Sequence, residues 1–154
     1  MTSPQITLAP GLYLVATPIG SARDITLRAL DILRSADVLA AEDTRTLRKL
    51  MEIHGIALDG RPLLAYHDHN GPAVRPRLLG MIAAGKSVAY ASDAGTPLVA
   101  DPGFALARDA TAEGLGVTAA PGASAVLAAL AIFAHVRSFQ YCVNVHYSVF
   151  RSRC

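Results

Sequence analysis

The chain has 154 residues and a formal net charge of +2, with 52% hydrophobic and 17% charged residues. This composition predicts one folded domain with a substantial core and excludes an intrinsically disordered chain. The small net charge excludes a histone-like polycation, but it is compatible with RNA binding through a local basic patch.

Cysteine usage and hydropathy indicate the cellular compartment. The two cysteines, Cys142 and Cys154, lie near the C-terminus, so neither a disulfide framework nor a cysteine-based metal site is expected. The first ten residues lack the basic cluster and apolar segment of a signal peptide. The longest nearly apolar run, residues 123–134, is too short to span a bilayer. We therefore expect a cytoplasmic protein without membrane contact.

Short apolar runs alternate with helix-like stretches along most of the chain. Leu27, Leu30 and Leu33 recur at the spacing of a helix face, whereas runs such as GLYLVA at 11–16 are typical of buried strands. Asp101 and Pro102 suit a helix start, with aspartate as the N-cap and proline at the first helical position. In chain order, the predicted elements are strand 11–16, helix 26–35 capped by Asp24 or Thr26, strand 38–41, a helix from Asp43 or Thr44 to Gly55, strand 63–66, helix 74–84 ending at Gly85, strand 87–91, a helix from 101 to Gly114 or Gly116, strand 117–120 and helix 125–134.

This alternation predicts the fold class. Strands separated by helices of about ten residues imply parallel crossovers. The sequence therefore predicts an α/β fold, with a doubly wound, mostly parallel five-stranded sheet and flanking helices.

The last twenty residues differ in composition from the rest. Residues 135–154 show no clear period and contain both cysteines and four of the nine aromatic residues. The segment reads as an irregular, out-of-frame tail, although a genuine unusual C-terminus gives the same pattern. We therefore predict a domain over residues 1–134 and a separate tail over 135–154.

Three loops rich in small residues follow the first, fourth and fifth predicted strands. They are TPIG at 17–20, SDAGTP at 92–97 and PGAS at 121–124. In doubly wound sheets ligands bind beyond the carboxyl ends of the strands, and small residues let backbone groups approach a ligand. One such loop is more simply a tight turn, but three on one sheet edge predict a ligand site.

Two common nucleotide-binding motifs are absent. The first loop has a single glycine, so the dinucleotide motif GxGxxG is missing, and no phosphate-binding GxxxxGK[ST] occurs. These absences argue against a dehydrogenase and against a nucleoside triphosphatase.

Five ordered motifs carry a specific resemblance. They are GLYLVATPIG at 11–20, AEDTR at 41–45, YHDHN at 66–70, SDAGTP at 92–97 with DPG at 101–103, and PGAS at 121–124. Together they resemble the successive motifs of the tetrapyrrole methylase family, and most closely its bacterial branch that methylates small-subunit ribosomal RNA. The resemblance covers about residues 11–130.

The resemblance implies a two-domain α/β fold that binds S-adenosylmethionine between the domains. It implies that the cofactor contacts the loops after the first, fourth and fifth strands. Asp93 can accept hydrogen bonds from the cofactor's ammonium or ribose, although an aspartate in such a loop also serves simply to stabilise a turn. The residues at the matching motif positions are Pro18, Ile19, Asp93, Ala94, Thr96, Ser124 and Ala125.

Two polar clusters provide candidate catalytic residues. Asp43 and Arg45 follow the second strand, where they can cap a helix or, alternatively, contact RNA and orient its hydroxyl. His67 follows the third strand and is a candidate general base for a ribose hydroxyl, although a surface turn is the commoner reading of such a string. His67 and His69 have the spacing of metal ligands, but no third ligand is evident, so no metal site is expected.

The resemblance implies methyl transfer from S-adenosylmethionine to a ribose 2′-oxygen of small-subunit (16S) ribosomal RNA, by a protein that forms homodimers at full length. The RNA substrate follows from the resemblance and not from a readable basic surface. One alternative is a tetrapyrrole methylase that acts on a small molecule. The other is a truncated or frameshifted fragment without activity, since the family's second domain would follow residue 135.

Overall fold

The computed structural model describes residues 6–98 and 102–132 of the chain. In this part, five strands alternate with five helices. In chain order they are β1 (Gly11–Val15), α1 (Leu27–Ser35), β2 (Val38–Ala41), α2 (Thr44–Ile53), β3 (Leu63–Ala65), α3 (Gly71–Ala83), β4 (Ser87–Ala91), α4 (Gly103–Ala112), β5 (Val117–Ala120) and α5 (Ala125–Ile132).

The strands form one sheet in the order β3-β2-β4-β1-β5, and every neighbouring pair is parallel. The chain runs from β1 outward to β3, returns to place β4 between β2 and β1, and then continues to β5. The direction of winding therefore reverses beside β1 and β4. In open parallel sheets this reversal opens a crevice at the carboxyl ends of the strands, where ligands bind.

Helices cover both faces of the sheet. On one face, Leu12, Leu14, Val88 and Tyr90 pack with apolar residues of α3 and α4. On the other face, alternate strand residues, including Val15, pack with residues of α1 and α2. Helices of crossovers that run in opposite directions fall on opposite faces, as right-handed connections require. The predicted doubly wound, parallel five-stranded sheet is confirmed.

The predicted strand positions are largely confirmed. Strands β2, β4 and β5 have the predicted bounds, while β1 and β3 end one residue early, at Val15 and Ala65. The three inner strands are almost wholly buried, which explains why they appear in the sequence as continuous apolar runs.

Caps settle the alternatives for the first two helices. The Thr26 side chain accepts a hydrogen bond from the Ala29 N–H at 3.1 Å and caps α1, so Asp24 does not. Asp43 caps α2, and Gly55 follows the end of that helix with a φ of +62°.

Two predicted helix starts are wrong. The third helix begins at Gly71, three residues before the predicted residue 74, because Asn70 closes the preceding turn. Its side chain accepts from the His67 N–H at 2.8 Å and donates to the Ala65 carbonyl at 2.9 Å. The fourth helix begins at Gly103, with Pro102 rather than Asp101 as its N-cap and no side-chain hydrogen bond there. The fixed φ of Pro102, −67°, already suits entry into a helix, and Asp101 lies outside the described residues.

The chain divides into two compact units, Met1–Ser124 and Ala125–Cys154. The described part of the second unit is α5, a helix of small and apolar residues in which Leu127 is 65% and Ile132 is 77% exposed. The predicted tail, residues 135–154, and the last two predicted residues of the fifth helix lie outside the described residues.

Candidate functional site

Backbone hydrogen bonds join the loop after β1 to the loop after β4. The Thr17 N–H donates to the Gly95 carbonyl at 2.9 Å, and the Gly95 N–H donates back to the Thr17 carbonyl at 3.0 Å. The buried Thr17 hydroxyl also donates to the Ser92 carbonyl at 3.1 Å. These bonds hold the two loops together beside the crevice between β1 and β4.

The loop after β5 joins the same assembly. The Thr96 hydroxyl donates to the Ala123 carbonyl at 2.9 Å, and this hydrogen bond links the two loops. The hydroxyl oxygen can still accept a hydrogen bond from a ligand. Gly122 packs against the end of β1, where an added Cβ would lie only 2.8 Å from the Ala16 Cβ. Only glycine allows that approach.

Gly95 lies at the centre of this assembly. Its φ is +86°, and an added Cβ would lie 3.3 Å from the Ile19 Cγ2 and 3.6 Å from the Ala123 carbonyl oxygen. Both its conformation and its surroundings therefore require glycine. The three predicted ligand loops meet at this residue.

The loop after β2 is tied to the loop after β4 by a reciprocal pair of hydrogen bonds. The Asp43 N–H donates to Asp93 Oδ1 at 3.0 Å, and the Asp93 N–H donates to Glu42 Oε2 at 3.1 Å. We call this pair the Glu42–Asp93 clasp. It leaves the second carboxylate oxygen of the exposed Asp93 available to a ligand.

Asp43 is held by its own helix. Its Oδ1 accepts the Arg45 N–H at 2.8 Å, and both carboxylate oxygens accept from the Arg45 guanidinium, the shortest bond being 2.7 Å to Oδ2. The hydrogen bond from the Arg45 side chain, followed by that from its backbone, lowers the pKa of Asp43 to about 2. Asp43 is therefore ionised at neutral pH, while the Arg45 side chain remains 90% exposed.

A cleft lies between α2 and these loops, with a cavity volume of about 170 Å³. We call it the α2 cleft. Its walls are apolar at Leu50 and Ile53 and polar at Thr46 and Lys49. The loops contribute Pro18 and Asp93 to the same cleft, so it adjoins the assembly of loops.

His67 stands apart from this assembly. It follows β3, an edge strand, and β2 separates it from β4. At about 4.8 Å per neighbouring strand, the start of the loop that carries His67 is roughly 10 Å from the loop that carries Asp93. Its Nδ1 is buried and has no hydrogen-bond partner among the described residues, and its ring meets that of His69 edge-on at 6.0 Å.

The structure thus brings most, but not all, of the predicted site residues together. Glu42, which sequence reasoning did not select, forms half of the clasp; its signal was its position directly after β2. His67 is not in contact with the clasp. Ala125 is the first residue of α5, in the second unit. The predicted residues that lie on the joined loops or next to them are Pro18, Ile19, Asp43, Arg45, Asp93, Ala94, Thr96 and Ser124.

The described residues contain no group of three or more histidine, cysteine or acidic side chains placed to hold a metal ion. Within the same ranges, 6–98 and 102–132, no helix has the length and hydropathy needed to cross a bilayer.

Comparison with known proteins identifies the family. The sequence profile of the tetrapyrrole (corrin/porphyrin) methylases matches residues 11–148, about nine-tenths of the chain. The chain belongs to the tetrapyrrole methylase family. The predicted family is therefore confirmed.

Curated members of the family extend the comparison. A ribosomal RNA small subunit methyltransferase I from Mesorhizobium japonicum is 52% identical over 127 residues, which are 82% of this chain and 42% of the relative. The protein of the same name from Xylella fastidiosa is 49% identical, over 80% of this chain and 44% of the relative. The chain thus spans less than half the length of these relatives.

Solved structures share the methylase fold. A conserved hypothetical protein from Aeropyrum pernix K1 is 26% identical with a TM-score of 0.62, over 79% of this chain and 42% of that one. Uroporphyrin-III-C-methyltransferase from Thermus thermophilus is 24% identical with a TM-score of 0.60, over 81% of this chain and 52% of that one. At this identity the second likeness concerns the fold alone.

Proposed function

We propose that this chain provides the cofactor-binding half of a methyltransferase that transfers a methyl group from S-adenosylmethionine to a ribose 2′-hydroxyl of small-subunit ribosomal RNA. The observation that carries the proposal is the joining of the loops after β1, β2, β4 and β5 at one sheet edge. The relatives named for ribosomal RNA methylation support the substrate, because they match most of this chain at about half identity.

The residues present fit S-adenosylmethionine. The surface of the joined loops is built from small residues such as Ala94, which leave backbone groups accessible. Asp93 supplies a free carboxylate oxygen for the cofactor's ammonium or ribose hydroxyls, and Thr96 supplies hydroxyl lone pairs. The exposed Ile19 supplies an apolar contact for an adenine ring. The other residues proposed to contact the cofactor are Pro18, Ser124 and Ala125.

When bound, the cofactor supplies an electrophilic methyl group on a sulfonium. The remaining work is alignment of the ribose oxygen and removal of its proton. We assign alignment to Asp43 and Arg45, because the ionised Asp43 holds Arg45 while most of the guanidinium stays exposed for an RNA phosphate. A carboxyl group with a pKa of about 2 is a weak proton acceptor, so this pair positions the substrate and does not act as the base.

The proton acceptor that we propose is His67. A substrate ribose would have to lie across the end of β2 to reach both His67 and the cofactor loops. This assignment predicts that His67→Gln lowers kcat, because the ribose hydroxyl loses its proton acceptor, while the KM for S-adenosylmethionine stays the same. An unchanged kcat would remove His67 from the mechanism.

The proposal also names partners and place. Small-subunit ribosomal RNA is the macromolecular partner, and a second copy of the protein completes a homodimer. The reaction takes place in the cytoplasm, where bacterial ribosomes are assembled. We place the cofactor domain at residues 1–134 and treat 135–154 as a separate tail.

The test is methyl transfer from radiolabelled S-adenosylmethionine to small ribosomal subunits that lack the modification. The assay uses this chain and a chimaera in which it replaces the matching segment of the Mesorhizobium relative. Label in a 2′-O-methylated nucleotide of the small-subunit RNA, lost in an Asp93→Ala chimaera, is the expected result. A parallel assay offers a uroporphyrinoid in place of the subunits. Label in the uroporphyrinoid and none in RNA would favour the small-molecule alternative, for which the fold shared with uroporphyrin-III-C-methyltransferase is the relevant observation.

A further inference from the structure

The α2 cleft is too small for a whole cofactor. Pockets that enclose drug-sized ligands have volumes of about 300–1,000 Å³. The cavity of the α2 cleft is about 170 Å³, which suits a single ring system. It nevertheless shares Pro18 and Asp93 with the loops that we assign to the cofactor, so its occupant would lie next to the cofactor.

The lining of the cleft suits one nucleic acid base. Leu50 and Ile53 offer apolar surface to the face of a ring, and Ile53 is 56% exposed beside the opening. The Thr46 hydroxyl can hydrogen-bond to the polar edge of a base.

Cations line the exposed side of the same helix. Arg45, Arg48 and Lys49 are all exposed, and neither Arg48 nor Lys49 forms an ion pair with a residue that the structure describes. Lys49 lies on the wall of the α2 cleft, whereas Arg48 faces a different depression of the surface. This arrangement is complementary to a nucleotide, because the cation can pair with the phosphate while the apolar cavity receives the adjacent base.

We propose that the α2 cleft receives one unpaired base of the RNA substrate, with Lys49 binding the adjacent phosphate. Single-stranded RNA is recognised through bases turned out of the stack, and enzymes that modify nucleotides often bind such a base in a pocket. With the base in the cleft, its ribose would lie near Asp93 and Arg45. The inference rests on the proposed function, since it names the subsite that orients the ribose for methylation.

The first experiment measures whether the cleft recognises a base. Binding of a fluorescein-labelled five-nucleotide RNA is compared with binding of the same RNA carrying an abasic central position, by anisotropy. The unmodified protein should prefer the intact RNA by about tenfold, because the abasic RNA leaves the apolar walls of the cleft exposed to water. Thr46→Phe fills the cavity and should abolish that preference, while Thr46→Ser keeps the volume and hydroxyl and should retain it.

The second experiment uses two cations of the same helix. Lys49→Met should weaken RNA binding by about tenfold and reduce the salt dependence by about one phosphate contact. Arg48→Met, which removes the same charge from the next residue, should change affinity by less than threefold. Equal losses in the two variants would show a diffuse electrostatic effect and overturn the assigned cleft.

The third measurement separates this inference from the proposed function. S-adenosylmethionine binding, measured by calorimetry, should be unchanged in Thr46→Phe. Loss of cofactor binding in that variant would mean that the cleft holds part of the cofactor, which overturns the inference and leaves the proposed function intact. Absence of cofactor binding in the unmodified protein, together with absence of methyl transfer in the unmodified chimaera, would instead refute the proposed function. Far-ultraviolet circular dichroism and thermal melting establish that each variant folds.

Discussion

Asp93 has a structural contact and a proposed cofactor contact that substitutions can separate. One carboxylate oxygen accepts the Asp43 N–H, and the other is available. Asp93→Ala should cost about 1 kcal/mol of unfolding free energy, the usual worth of one exposed hydrogen bond, and should weaken S-adenosylmethionine binding at least tenfold. Urea unfolding and calorimetry measure the two effects.

Asp93→Asn is the matched control for this prediction. It keeps an oxygen for the Asp43 N–H but loses the charge, so stability should be close to that of the parent while cofactor affinity falls. Unchanged affinity in both variants would show that Asp93 serves the loop alone.

Gly95 gives a second prediction at the scale of one residue. A side chain there would adopt an unfavourable positive φ and press on Ile19, so Gly95→Ala should cost about 1–2 kcal/mol of unfolding free energy. It should also disrupt cofactor binding, because the loops after β1 and β5 are arranged around this residue. Gly20→Ala is the control, since Gly20 has open space around it and no positive φ. Equal effects in the two variants, by urea unfolding, would contradict this account.

The sequence predicted where the site residues lie better than what each of them does. The string SDAGTP identified the loop after β4, because small residues after a buried strand are visible in the sequence. The role of each side chain depends on hydrogen bonds between distant positions. The Thr96 hydroxyl donates to the Ala123 carbonyl, 27 residues away, and Asp93 accepts the Asp43 N–H, 50 residues away. Such contacts follow from the order of the strands, which local patterns do not encode.

At the scale of the element, α2 depends on its N-cap in a way that pH should reveal. The pKa of Asp43 is lowered from 3.8 to about 2, chiefly by the Arg45 side chain. The stability that this carboxylate contributes is therefore complete above pH 3.8 and is lost as the pH falls toward about 2. Asp43→Ala should melt below the parent at pH 6, and the difference should shrink by more than half at pH 2.5, in thermal melts followed by circular dichroism.

The control for α2 is Asp43→Asn. Asparagine is also a good N-cap but does not titrate, so this variant should melt close to the parent at pH 6 and should lack the pH-dependent loss. A difference between Asp43→Ala and the parent that stays constant down to pH 2.5 would refute the electrostatic part of the cap.

Arg61 caps the C-terminal end of α1, although it lies 25 residues beyond Ala36 in the chain. Its guanidinium donates to the carbonyls of Leu33 and Ala36 at 2.9 and 3.0 Å and to those of Ala57 and Leu58 at 2.7 and 3.0 Å. The sequence does not reveal this role, because an arginine between a predicted helix that ends at Gly55 and a predicted strand that begins at 63 has no local signal for it.

Removal of Arg61 should therefore destabilise the domain. Arg61→Met removes the side-chain donor of four carbonyls, although that of Leu58 still accepts the backbone N–H of residue 61, and should cost about 2 kcal/mol of unfolding free energy. Arg61→Lys should recover less than half of this, because one ammonium cannot span four acceptors. Arg48→Met, at an exposed site, should change stability by less than about 0.5 kcal/mol in the same urea titration, and an equal loss there would contradict the assignment.

At the scale of the whole molecule, the two ends of the parallel strands differ in role. The loops proposed to bind ligands follow the carboxyl ends of the strands, whereas the contacts at the amino ends are structural. Short apolar runs and the helices between them are sufficient to predict the strands and the fold class, since burial on both faces of a parallel sheet produces such runs. They do not predict the strand order. That order places β4 beside β1, joins the cofactor loops, and leaves His67 at the far end of the same edge.

This difference between the two ends of the sheet predicts where ligand binding will protect the protein. S-adenosylmethionine at 100 times its dissociation constant should raise the unfolding free energy by about 2.7 kcal/mol. In hydrogen exchange followed by mass spectrometry, added protection beyond this global effect should be confined to the loops after β1, β4 and β5 and to the clasp. The opposite edge, where the Ser87 N–H donates to Asp37 at 2.8 Å, should show none beyond it. Cofactor-dependent protection centred on Asp37 and Ser87 would place the site at the wrong end of the sheet and overturn the proposed function.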